Sequence, residues 1–176
     1  MTKSRRQAAI HRRAHRGFTI VEVLVSLVIL SMGLLGIAKL ILLTARSTDS
    51  AYLRSQATEL AYGILDDMRA NRQTAVAHGY DTSMTTAPTA AGSCIDTACS
   101  PTDMALYDVY IWKRRLGVST GGALPLGQGS ITTTTTAAAT TTAVVIVQWD
   151  DEAAQSSFGA PVGVAAIVQV TLETLL

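Results

Sequence analysis

The chain has 176 residues, 48% of them hydrophobic, and fourteen Lys and Arg against thirteen Asp and Glu, for a net charge of +1. That balance excludes a broadly basic nucleic-acid surface. The sequence also lacks a Walker A loop, a Gly-x-Ser-x-Gly elbow and a His-Glu-x-x-His helix, so the common phosphate-cradling, esterase and zinc-protease signatures are missing.

Charge is concentrated at the start. Residues 1–17 hold Lys3, Arg5, Arg6, Arg12, Arg13 and Arg16 and no Asp or Glu. The positive-inside rule keeps such a segment in the cytoplasm and points the apolar run Phe18–Leu43 outward across a membrane. As a helix that run is roughly 39 Å long at about 1.5 Å per residue, more than a hydrocarbon core of about 30 Å. An ordinary secretory signal places its small-residue cleavage site after the apolar core. Here the small residue, Gly17, comes before it. A cut after Gly17 strips the basic block, keeps the hydrophobic helix and leaves eight basic against thirteen acidic residues, net −5. Without the cut, the same pattern describes a single-pass anchor with a basic cytoplasmic tail.

Glu22 stands near the start of the apolar run. An acidic residue at a helix centre in lipid costs roughly 2.5–3.5 kcal/mol on insertion scales. Such a group is a functional candidate with a partner to be named. An α-amino group freed by a cut between Gly17 and Phe18 lies one helical turn away. Further along, Gly33 and Gly36 each weaken the helix by about 1 kcal/mol relative to Ala. They suit either a segment that bends or unwinds in a packed assembly or close helix contact through small residues. Lys39 snorkels to the interface.

From Ala45 the pattern turns amphipathic. Leu53, Ala57, Leu60, Ile64 and Met68 recur at helical intervals, widened by Ala61 and Leu65. With no Pro between residues 18 and 72, one helix of about 55 residues, roughly 80 Å long, is expected. Its second half needs a sheet to cover the apolar stripe.

About 100 residues follow, enough for one small domain. Residues 78–102 read as a surface loop. Within it Cys94 and Cys99 form C-x-x-x-x-C, and on the exported side a disulfide is expected. A zinc site would need about two more ligands, and His78 is the only histidine after residue 17. Asp103–Leu116 is ambiguous between helix and strand, and residues 117–129 read as a Gly/Pro loop. The β-branched runs Ile131–Thr136 and Ala143–Trp149 and the alternating Gly163–Leu175 predict an antiparallel sheet of three or four strands. Residues 150–161 form the last turn, and the Ala137–Thr140 tract a hairpin loop, with glycosylation the less favoured option. The adjacent carboxylates Asp66-Asp67 and Asp150-Asp151-Glu152 read as solvated faces rather than acid–base pairs. Lys113-Arg114-Arg115 is the one basic cluster after the anchor; it reads as a solvated face, with a DNA contact as the rival.

The string Gly17-Phe18-Thr19-Ile20-Val21-Glu22-Val23-Leu24 resembles the cleavage signal of type IV prepilins and pseudopilins. Ser31–Ala38 and Leu60–Asn71 resemble the anchor and long-helix end of PilV-type minor pilins, with looser similarity at Leu124–Gly127 and Val147–Asp150. Similarity to PilV-type proteins also favours a short helix around Trp112. The resemblance implies an α+β, pilin-like fold: a long N-terminal helix packed on a small antiparallel β-sheet. It divides the chain into a cleaved leader, 1–17; a hydrophobic transmembrane and assembly helix, 18–43; the amphipathic half of the same helix, 44–72; and a periplasmic domain, 73–176.

It further implies cleavage between Gly17 and Phe18 by prepilin peptidase, N-methylation of Phe18 and pairing of Glu22 with an N-terminal amine; of the two readings of Gly33 and Gly36, helix flexibility is the functional one. The implied function is a minor pilin that primes or caps type IV pilus assembly, supporting twitching motility and adhesion, and not an enzyme. Its partners would be other minor pilins, the major pilin and, before assembly, inner-membrane lipid. No cofactor, metal, nucleic acid or small-molecule substrate is implied. The chain would wait in the inner membrane with a periplasmic C-terminal domain and then enter the extracellular fibre, near its tip. The rival readings are a minor pseudopilin of type II secretion and a tip adhesin or DNA-binding module.

Overall fold

The computed structural model describes residues 17–87, 94–95, 97–117, 121–136, 140–151 and 167–176. The leader up to residue 16, part of the 78–102 loop, the 137–139 tract and residues 152–166 lie outside the described residues. The chain divides into two compact units, Met1–Ile41 and Leu42–Leu176.

One helix, α1, runs Ile20–Ala70 and belongs to both units. In the first unit its side chains are exposed throughout, from Ile20 to Ile41. It is the one helix among the described residues long and apolar enough to cross a membrane. The helix continues unbroken through Gly33 and Gly36, and a Cβ at either position would meet nothing within 4 Å.

In the second unit α1 buries Ala57, Ala61, Ile64, Leu65 and Met68, with Leu53 and Leu60 packed against them. These are the positions of the expected apolar stripe. The helix stops short of residue 72. At Asn71 the backbone leaves the helical region (φ −114°, ψ 48°), and a short helix, α2, follows at Arg72–Val76. Asn71 Nδ2 donates to the Pro101 carbonyl at 2.6 Å, tying this break to the next element.

That element, α3, spans Pro101–Leu116 and decides the ambiguous segment as helix. Ser100 caps it by accepting the Asp103 N–H at 3.2 Å, and Pro101 needs no hydrogen bond at the first position. Gly117 ends it at φ 113°, a left-handed conformation that a side chain would strain.

Among the described residues three antiparallel strands form the sheet: β1 Gln128–Thr135, β2 Thr141–Asp150 and β3 Ile167–Leu175, in the order β1-β2-β3. β1 starts inside the stretch expected to be loop, and β2 is longer at both ends than expected. Central β2 alternates strictly, with Thr141, Ala143, Val145, Val147 and Trp149 buried and their neighbours half-buried. Ile131 faces Val145, which faces Leu172, so the inner face is a β-branched and leucine layer against the core.

Hydrogen bonds from α1 fix its direction along the sheet. Ser50 donates to Asp151 beside the start of β3, and Arg69 Nη2 donates to Thr174 Oγ1 near its end at 3.1 Å. This part of α1 therefore runs in the same sense as β3.

Candidate processing and assembly site

The N-terminal site is built on the first turn of α1. Thr19 precedes the helix and its Oγ1 accepts the Glu22 N–H at 3.2 Å. That bond satisfies one of the orphan donors of a helix start. Thr19-x-x-Glu22 has the spacing of a capping box, and Glu22 lies in the first turn, where the helix dipole favours a carboxylate. The capping role of Thr19 was missed from sequence, although Thr-x-x-Glu ahead of an apolar run is its signal. Phe18, Glu22, Ser26 and Leu30 line one shallow groove along this face. Ser26 Oγ donates back to the Glu22 carbonyl at 2.7 Å. Gly17 is exposed, with open space where a Cβ would be.

The second unit gathers the other candidates. Cys94 and Cys99 are bonded as a disulfide, five residues apart in sequence. Lys113 is fully buried, and its Nζ donates to the carbonyls of Ser83 (2.6 Å), Met84 (3.3 Å) and Gly129 (2.6 Å). This corrects the reading of Lys113-Arg114-Arg115 as one solvated basic face. Lys113 ties the 83–84 turn to β1, while Arg114 stands over the Tyr110 ring at 5.6 Å. Burial pushes the Lys113 ammonium down to about 8.

Asp151 is likewise buried rather than solvated, and accepts from Ser50. Of the earlier pair, Asp66 and Asp67 are both exposed, and Asp66 pairs with Arg69 at 2.7 Å. Tyr80 is fully buried and donates to Asp108 Oδ2 at 2.8 Å. Burial, then that carboxylate, hold the phenol above its usual range, and burial also raises Asp108.

His78, Asp81 and Thr133 bring together the residue types of a hydrolytic triad. Thr133 Oγ1 lies 2.7 Å from His78 Nδ1 and donates to Asp81 Oδ1 at 2.8 Å. Thr133 is only 5% exposed, and Asp81 Oδ1 also accepts the Thr133 N–H at 2.9 Å. The carboxylate thus caps the edge of β1 and holds the hydroxyl toward itself, not toward a substrate. Among the described residues no group of three His, Cys, Asp or Glu is placed to hold a metal.

Two family models match the chain. Residues 12–38 match the prokaryotic N-terminal methylation motif, and residues 42–110 match the model described as type IV pilin Tt1218. Over those residues the chain is similar to type IV pilins. No curated protein and no solved structure matches it. The first match contains Gly17–Glu22 and both anchor glycines. The second covers the amphipathic part of α1, α2 and most of α3 but not the sheet. The likeness is thus to a type IV pilin over part of the second unit and to a methylation motif at the start of a helix long and apolar enough to cross a membrane.

Proposed function

We propose that this chain is a minor pilin of the PilV type, a structural and assembly subunit and not a catalyst. The observation that carries the reading is Gly17-Phe18 followed by Glu22 on the first turn of an exposed apolar helix, inside a stretch that matches the methylation motif. Cleavage after Gly17 removes the basic leader, and methylation leaves Phe18 with a cationic amine. Two unit charges about 4 Å apart attract by roughly 4 kcal/mol at an effective dielectric near 20. That offsets the roughly 2.5–3.5 kcal/mol cost of an acid in lipid. A Glu22 without an amine therefore favours docking beside a subunit that presents one. Gly33 and Gly36 supply the give that a helix needs when it leaves lipid for a packed fibre. The subunit waits in the inner membrane with residues 73–176 in the periplasm, then helps to prime or cap the fibre near its tip.

Intact mass and N-terminal sequencing, with and without prepilin peptidase, test this reading. A chain starting at methylated Phe18 only when the peptidase is present is expected. A chain that keeps residues 1–17 in both cases refutes it.

A further inference from the structure

The two edges of the sheet are treated differently. Every outward-facing position along the middle of β1 is capped. The Gly129 carbonyl accepts from Lys113, Ile131 exchanges both backbone bonds with Thr82, and the Thr133 N–H donates to Asp81. Because Ile131 turns its N–H and C=O away from β2, its opposite residue, Val145, turns them toward β3, where it pairs with Leu172. Alternation then sends the backbone groups of Gln169, Thr171 and Glu173 outward from β3. Among the described residues no strand pairs with that edge. β3 also carries none of the usual edge protection. Ile167–Leu175 has no Pro, Lys or bulge and one charge, Glu173. Val168, Val170 and Leu172 remain half-buried at the rim of the core, where a further strand would cover them.

We propose that the open edge of β3 accepts an extended segment of a non-identical pilin-like subunit, apolar on the helix side and carrying a Lys or Arg beside Glu173. The inference rests on the anchored-pilin reading above. A second copy of this chain is a poor occupant. Its β1 edge is capped. Two β3 edges paired antiparallel would set their α1 segments in opposite directions, although both chains are rooted in one membrane by the residues before them. Two β3 edges paired parallel about a two-fold axis would place the same alternate N–H and C=O groups at equal height, out of hydrogen-bonding register. Glu173 faces Val144 on β2 and has no salt bridge among the described residues, so its charge asks for a cation from outside. Strand addition of this kind draws affinity from main-chain bonds and specificity from alternate side chains.

Residue-resolved amide exchange on the mature full chain tests the proposal, alone in detergent and in fibre assembled with the co-expressed pilin-like subunits of its host. Exchange at Gln169, Thr171 and Glu173 is expected to slow about a hundredfold or more in the fibre only. Thr171→Pro removes an outward N–H that the ladder with β2 does not use. It should abolish this protection while Val168, Val170 and Leu172 keep theirs. Glu173→Lys, which leaves the backbone intact, should lower retention in the fibre. A chain recovered in fibre with these amides exchanging as in the free chain overturns the edge contact and leaves the pilin reading standing. Protection already present in the chain alone also overturns it, whether concentration-dependent from a second copy or constant from residues 152–166. A processed chain never recovered in fibre overturns both.

Discussion

Two tryptophans illustrate how single side chains act in the second unit. Trp112 Nε1 donates to the Leu60 carbonyl of α1 at 3.0 Å, whereas the fully buried Trp149 Nε1 has no acceptor among the described residues. A paired hydrogen bond contributes about 1 kcal/mol net, and an unpaired buried donor costs a similar amount or more. Trp112→Phe is therefore expected to destabilise the fold by about 2 kcal/mol or more relative to Trp149→Phe. Chemical denaturation of the two variants checks this, and equal losses would refute it. Gly129 is tighter still, since a Cβ there would stand 2.5 Å from Trp112 Cη2 and 2.7 Å from Leu116 Cδ1. Gly129→Ala should cost about 1–3 kcal/mol as overpacking, read as a lowered denaturation midpoint.

Lys113 and Tyr80 set an alkaline signature. The folded Lys113 titrates near 8, below its ordinary 10.5, so between those values the unfolded chain holds more protons and this group's stability contribution rises with pH. Tyr80 is raised in the fold from an ordinary 10, so above pH 10 the unfolded chain loses its proton first and stability falls. Denaturant midpoints should climb from about pH 8 and turn down above pH 10, and Lys113→Met should remove the climb. A wild-type profile flat from pH 8 to 10 would refute the buried ammonium. On the acid side Asp108, raised by burial, stabilises the fold at low pH and loses that contribution as pH rises through its folded value. Asp108→Asn should flatten that part of the profile.

At the scale of elements, α1 is one helix with two unlike tasks. Before residue 42 its side chains are exposed and its glycines touch nothing. Gly33→Ala is thus expected to leave the folded domain unchanged and to raise helix stability in detergent by about 1 kcal/mol. If the glycines supply give during fibre entry, the same change lowers incorporation. Unaltered incorporation would leave them as simple spacers. Glu22→Ala should leave the second unit's denaturation midpoint unchanged and deplete the chain from fibres, because the carboxylate has no part in the core. Removal of the Cys94–Cys99 bond should affect the loop more than the fold, since a loop this short gains less than the roughly 3 kcal/mol of a fifteen-residue one.

For the molecule as a whole, charge and hydropathy along the chain separate what is legible from what is not. The apolar run, the carboxylate at its start and the stripe Leu53–Met68 are all local patterns, and each survives in the structure; the basic residues before Gly17 lie outside the described residues. Helix α3 was also within reach. Ser100-Pro101-x-Asp103 and Gly117 are a start and a stop, but the alternation of Tyr107, Val109 and Ile111 competed with them. What no local pattern could reveal is the fate of groups settled by distant partners. Lys113 looks like one of three surface cations until the carbonyls of Ser83, Met84 and Gly129, far from it in sequence, close around its ammonium. Asp151 looks solvated until Ser50 reaches it across the fold. The sequence by itself determined the long apolar helix, its amphipathic continuation and the α+β class, because these rest on periodicity and composition along neighbouring residues. Only the tertiary structure decided which charges are buried and which sheet edge is left unpaired among the described residues, because both depend on hydrogen bonds between segments that the chain alone does not place side by side.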